Sequence, residues 1–112
     1  MITATLRIPL SPQRLEQTLR GLRALVGPAS VARGCRSCRL YQEVGESPSL
    51  LLYQQWESQQ ALEGFLGSED CRRLLGLLEA AEAAPEVRFE TISRSQGLEL
   101  VASIRQAQSF GS

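Results

Sequence analysis

From Ile2 to Ile8 the chain alternates: Ile2, Ala4, Leu6 and Ile8 take one side, Thr3, Thr5 and Arg7 the other. That two-residue period predicts a half-buried strand, which Pro9 ends. Ser11-Pro12 follows as a helix start, with Ser as N-cap and Pro at the first helical position. Leu15, Leu19, Leu22 and Val26 then recur at helical spacing, while Arg14, Glu16, Arg20 and Arg23 fall on the other side. The pattern is that of an amphipathic helix lying on a sheet. Gly27-Pro28 is expected to stop it, leaving a loop or short helical turn up to Gly34.

Two strands are expected at Cys35 to Val44 and Leu50 to Trp56, joined by Gly45-Glu46-Ser47-Pro48-Ser49, a connection that suits an antiparallel hairpin. In the second of them Leu50 and Leu52 share one face, and Leu51 and Tyr53 the other. Ser58 caps a helix whose stripe is Ala61, Leu62, Phe65 and Leu66. After Gly67, Ser68 opens another, with Glu69 and Asp70 in the first turn, where they complement the helix dipole. Its stripe is Cys71, Leu74, Leu75, Leu78 and Ala81, and Pro85 ends it. Glu86 to Ile92 alternates again, Val87, Phe89 and Thr91 against Arg88, Glu90 and Ile92, and reads as a fourth strand. From Gly97 to Phe110 both periods fit, and a short helix or extended arm reaching over a neighbour is expected. The polar end, Gln108 to Ser112, reads as loose.

The order β-α-β-β-α-β is the ferredoxin-like split βαβ, an α+β sandwich in which an antiparallel sheet carries helices on one face. Apolar residues on both faces of the third strand imply that something covers the other side. A second copy of the sheet is the simplest cover, so a homodimer closing into an α+β barrel is expected. The whole chain reads as one domain, with a core over about 2–93 and a C-terminal arm over 94–112.

Composition narrows the chemistry mainly by what is missing. Positive and negative residues number 12 each, so no basic face marks a nucleic-acid or membrane-surface partner. No apolar run is long enough to span a bilayer and the first residues lack the pattern of a signal peptide, so a cytoplasmic location is expected. The sequence has no His, Lys or Asn. Imidazole bases, Ser-His dyads, His metal ligands, P-loop lysines and Schiff bases are therefore excluded. Cys35-Arg36-Ser37-Cys38 matches C-x-x-C, but without a second pair it completes no four-ligand zinc site. In a regular strand its two thiols would point to opposite faces. Buried packing is the expectation for Cys35, Cys38 and Cys71.

The run Trp56-Glu57-Ser58-Gln59-Gln60-Ala61-Leu62-Glu63-Gly64-Phe65, with Gly34-Cys35 ahead of a strand and Ser68-Glu69 opening a helix, resembles the antibiotic biosynthesis monooxygenase family of dimeric α+β barrels. That family's pattern is Gly-Cys, then Trp-x-Ser/Asp-x-x-Ala-Leu-x-x-His, then Ser-Pro/Glu, and the resemblance spans roughly residues 2 to 100. It implies oxygenation without metal or flavin: an electron-rich phenol, anthrone or hydroquinone is deprotonated and itself reduces O₂, while the protein supplies a dry pocket and a proton acceptor. No cofactor is expected. This chain departs from the pattern at Phe65, where the family often carries His, and in lacking the Asn found near the first strand of oxygenases and haem-degrading members.

The candidates for lining a pocket around a small planar aromatic ligand are Trp56, Phe65, Tyr53, Tyr41, Leu62 and Cys38. Trp56, at a strand end, fits core packing and pocket wall alike; Tyr41 and Tyr53 fit sheet and interface packing as well. No spacing singles out a base among Glu43, Glu57, Glu90, Tyr41, Tyr53 and Cys38. A small monooxygenase, a non-catalytic binding module and a structural dimerisation domain all remain open at this point.

Overall fold

The computed structural model describes residues 1–111. Four strands, β1 (Ile2–Pro9), β2 (Cys35–Gln42), β3 (Ser49–Trp56) and β4 (Glu86–Thr91), form one sheet in the order β2-β3-β1-β4. Every neighbouring pair is antiparallel. The register joins Ile2 to Trp56, Ala4 to Gln54, Leu6 to Leu52 and Ile8 to Leu50. Directly paired residues project to the same face, so one face carries the apolar row. Helix α1 (Pro12–Ser30) covers it through Leu22, Leu25 and Ala29, all buried. Helix α2 (Gln59–Leu66), helix α3 (Glu69–Leu77) and a 3-10 turn (Leu78–Ala80) extend the cover. Gly21 permits the approach of α1 to α3, because a Cβ there would lie 2.7 Å from Leu77 Cδ2.

The helix starts lie where the local chemistry predicts. Ser58 Oγ accepts from the Ala61 amide and Ser68 Oγ from the Cys71 amide, each satisfying a first-turn donor. The end of α1 differs from the expectation at Gly27-Pro28, because the helix runs through Pro28 to Ser30. The proline removes only one donor, which would have paired with the carbonyl of Ala24, a solvent-facing residue. Burial of Ala29 one residue later holds the last turn in place. Strand β2 also stops early, at Gln42, and Val44 is exposed.

A β-bulge between Cys35 and Ser37 shifts the register of β2. Cys35 pairs with Trp56 and Cys38 with Gln54, two residues that share a face. The expectation that the two thiols face oppositely is thus corrected: the extra residue of the bulge brings both to the helix side.

Strand β4 is an edge strand, and all of its residues are exposed. Val87 and Phe89 pair with Leu6 and Ala4 and so lie on the helix side, yet no helix reaches over them. The ambiguous tail is a helix, α4 (Leu98–Gly111), longer than the loose polar end expected from Gln108; Ser112 lies outside the described residues. Helix α4 stands off the body, with residues 98–108 all exposed. The radius of gyration, 17.3 Å, accordingly exceeds the roughly 13 Å of a compact chain of this length. No helix among the described residues is long and apolar enough to cross a membrane.

Candidate functional site

The gap between α2/α3 and the uncovered side of β4 forms an apolar groove with a cavity of about 100 Å³. Its floor comes from Ala4, Leu6, Leu52 and Gln54 on the sheet, and its rim from Leu66, Leu75, Val87 and Phe89. Floor residues are buried and rim residues about half exposed. One floor residue is an amide. Gln54 is held by two neighbours: Trp56 Nε1 donates to its Oε1 at 3.3 Å, and its Nε2 donates to Cys38 Sγ at 3.7 Å. A buried amide tied on both sides keeps a fixed orientation, which a floppy surface glutamine does not.

Among the sequence candidates, Trp56, Phe65, Leu62 and Cys38 all lie on the helix side of the sheet. Trp56 is 0% exposed and stacks at a tilt on Phe65, ring centroids 5.1 Å apart. It packs in the core and touches the groove from behind, through Gln54 and Phe65. Phe65 lines the groove itself, whereas Leu62 is buried beneath α2. Tyr53 and Tyr41 belong to the other face, beside Thr5 and Leu51. There the Tyr53 hydroxyl accepts from Gln55 Nε2 at 3.3 Å.

The candidate bases fare no better. Glu43 is on the far side of the sheet from the groove, where Arg7 donates to it at 2.8 Å. That hydrogen bond holds the Glu43 carboxyl below the usual range, which makes it a weaker base. Glu90 is on that same outer face, beside Thr3. Glu57 lines a wider depression of about 530 Å³, together with Arg33, Ser58, Gln60 and Asp70, which shares Phe65 with the groove. Its three charged side chains suit a polar ligand better than an apolar ring. Sequence reasoning did not single out Gln54, although its parity with Leu50, Leu52 and Trp56 places it on the buried row.

The match to known proteins is decided at the level of the family. The family model described as antibiotic biosynthesis monooxygenase matches residues 1–75, from β1 into α3. The chain belongs to this family. Its fold is shared with the PA3566 protein of Pseudomonas aeruginosa, at 27% identity and TM-score 0.72, covering 83% of this chain and 94% of that one. The Rv0793 protein of Mycobacterium tuberculosis is similar at 22% identity and TM-score 0.76, covering 86% and 98%. A solved antibiotic biosynthesis monooxygenase aligns at 18% identity and TM-score 0.74, covering 84% and 100%. A search of curated proteins found no match.

The family's Gly-Cys has a physical basis in this chain. Gly34 has φ 81°, a left-handed conformation that suits glycine, and a Cβ there would collide with the Cβ of Ala61. The Gly34 carbonyl accepts from the Glu57 amide at 2.9 Å, tying the start of β2 to the β3–α2 turn. Gly34, Trp56 and Ala61 of the motif thus form one packed corner, and the motif encodes that corner before it encodes chemistry.

The three thiols are free, and burial raises the pKa of each above its ordinary value. Thiol is therefore the dominant form at neutral pH, and it is a poor nucleophile. A disulfide reagent at pH 7 is expected to leave Cys38 and Cys71 unmodified in the folded protein and to react with all three thiols in denaturant. Raising the pH past the ordinary thiol range should speed the native reaction. Fast labelling of Cys38 at pH 7 would contradict the buried geometry.

Proposed function

We propose that this chain is a cofactor-independent monooxygenase whose groove takes a single-ring phenol or quinol. The observation that carries the reading is Gln54, a fixed buried amide on the floor of an otherwise apolar groove. A hydroquinone ring lies against Phe65 and Leu52, and the Gln54 amide donates to the oxygen on which negative charge develops. The lining holds no carboxylate or imidazole, so the first proton goes to solvent at the open side. The substrate anion then reduces O₂ itself: one oxygen atom enters the ring and the other leaves as water, so that hydroquinone and O₂ give hydroxyquinone and water. Apolar walls shield the intermediate from side reactions.

The volume sets the substrate size. About 100 Å³ is below the roughly 150 Å³ that admits a benzene in an engineered protein cavity, so one ring protruding through the open side fits better than a fused system. A ligand-holding module without turnover is the second reading, favoured by a groove lining whose only titratable side chain, among the described residues, is Cys71.

The test uses the single tryptophan, which touches Gln54. Titration with substituted hydroquinones should quench its fluorescence saturably, whereas anthrone should not. Oxygen uptake should exceed protein-free autoxidation and be lost when Leu75→Trp fills the groove. Quenching without uptake selects the second reading. Neither quenching nor uptake would end both.

A further inference from the structure

We propose that Phe65 sets the ring number of the ligand: its side chain is the partition between the apolar groove and the charged depression beside it, and so confines the groove to one ring. Two spaces of opposite character meet at this residue. The groove, about 100 Å³, is lined by no charged side chain among the described residues, whereas the depression, about 530 Å³, is lined by Arg33, Glu57 and Asp70. Among the described residues Phe65 alone lines both.

Phe65 is held at its ring and at its backbone, as a partition must be. The ring is 7% exposed and lies against Trp56, centroids 5.1 Å apart. The Phe65 carbonyl accepts from the Ser68 hydroxyl at 2.6 Å and from the Ser68 amide at 2.9 Å, which fixes the corner where α2 turns into α3. Swinging the ring aside would forfeit its stacking on Trp56 and uncover a fully buried indole. A ligand in the groove therefore meets a fixed wall, and close packing of this kind lets one side chain decide size.

The chemistry on the two sides determines what the partition excludes. A single phenol or quinol ring fills the groove with its oxygen at Gln54, whose amide is held by Trp56 and Cys38 and not by Phe65. A fused phenol would have to run its further rings through Phe65 into the depression, where Arg33, Ser58 and Gln60 offer partners to hydroxyls on the far ring. Without the Phe65 ring the two spaces join, and Trp56 becomes a planar face for such a ligand. The Gln54 amide keeps both its partners in that change, so the comparison reads size and not loss of the donor.

The size limit rests on the groove as the ligand site given above, and the experiment separates the two. Phe65→Ala is compared with Leu62→Ala, which shortens another buried side chain of α2 that lines neither space. Without ligand, acrylamide quenching of Trp56 reads the partition alone. It should rise severalfold in Phe65→Ala, because the depression then opens onto the indole, and stay near the parent's in Leu62→Ala. With ligand, dihydroxyanthrone should quench Trp56 saturably in Phe65→Ala, with an affinity at least about tenfold above any shown by the parent or Leu62→Ala, the scale on which pocket size discriminates. Where either alanine variant fails to fold, Phe65→Leu and Leu62→Val make the same comparison. Continued exclusion of dihydroxyanthrone from a folded Phe65 variant that still binds hydroquinone overturns the proposal and leaves the quinol reading standing. Equal gains in acrylamide quenching at both positions overturn it too, since the helix has then only loosened. A parent that ignores hydroquinone while Phe65→Ala admits acrylamide and dihydroxyanthrone ends the quinol reading and upholds the partition.

Discussion

Replacing Trp56 by alanine is expected to destabilise the protein by about 3–5 kcal/mol, the range for deleting a large buried aromatic. The ring is fully buried, stacked on Phe65 and paired across the sheet with Ile2 and Cys35, so no neighbour can collapse into the space without moving a strand. The change also strips Gln54 Oε1 of its donor in a buried site, a penalty of roughly 1–3 kcal/mol by itself. Against a total stability of about 5–15 kcal/mol, the variant sits near the edge of folding. Thermal denaturation followed by circular dichroism checks it; a melting temperature within about 5 °C of the parent would show that the ring does not hold the core. The polar part can be isolated. Trp56→Phe keeps most of the ring and orphans Gln54, and Gln54→Leu orphans the indole N–H, so each alone should cost about 1–3 kcal/mol. The double variant should cost less than the two together, because removing both partners leaves no unpaired group.

The same pair of residues shows where the sequence was readable. Alternation along Leu50, Leu52, Gln54 and Trp56 places all four on one face, and three apolar members mark that face as buried. Trp56 as core and Gln54 as a buried amide both follow from that parity. The glutamine two residues before the strand-end aromatic carries no signal beyond that parity. The caps at Ser58 and Ser68 were legible because a cap is decided within four residues. The passage of α1 through Pro28 was not, since it depends on which carbonyl the missing donor would have met and on the burial of Ala29 in the core between helix and sheet. The bulge in β2 was equally hidden: one extra residue changes the facing of Cys38 without altering local propensity. The tail fitted strand and helix alike because its apolar residues satisfy both periods, and an arm whose residues 98–108 are all exposed has little packing to arbitrate.

These observations tie the candidate chemistry to the architecture of one edge. Covering β2, β3 and β1 with helices while leaving β4 bare creates the groove, and the same bare strand leads into the arm. An apolar site with a single fixed amide can orient a phenolic oxygen and favour its anion, but cannot take its proton. On the monooxygenase reading the rate should therefore rise with pH toward the substrate's own pKa, since ionisation is left to the substrate and solvent.

Gly34→Ala is the second large effect, and it acts through backbone and contact together. A left-handed φ costs a residue with a Cβ about 1–2 kcal/mol, and forcing an atom into a packed contact adds about 1–3 kcal/mol. At Gly34 both apply, since φ is 81° and the new Cβ meets the Cβ of Ala61 at the start of α2. The expected loss is roughly 2–5 kcal/mol, read as a lowered denaturant midpoint with an unchanged slope. Ala61→Gly alone should cost up to about 1 kcal/mol in helix propensity. Combined with Gly34→Ala it removes the collision but leaves the backbone strain, so the double variant should be more stable than Gly34→Ala alone. If instead the two losses simply add, the contact between the Gly34 turn and α2 contributes nothing, and the Gly-Cys of the family motif is required at this corner for its backbone conformation alone.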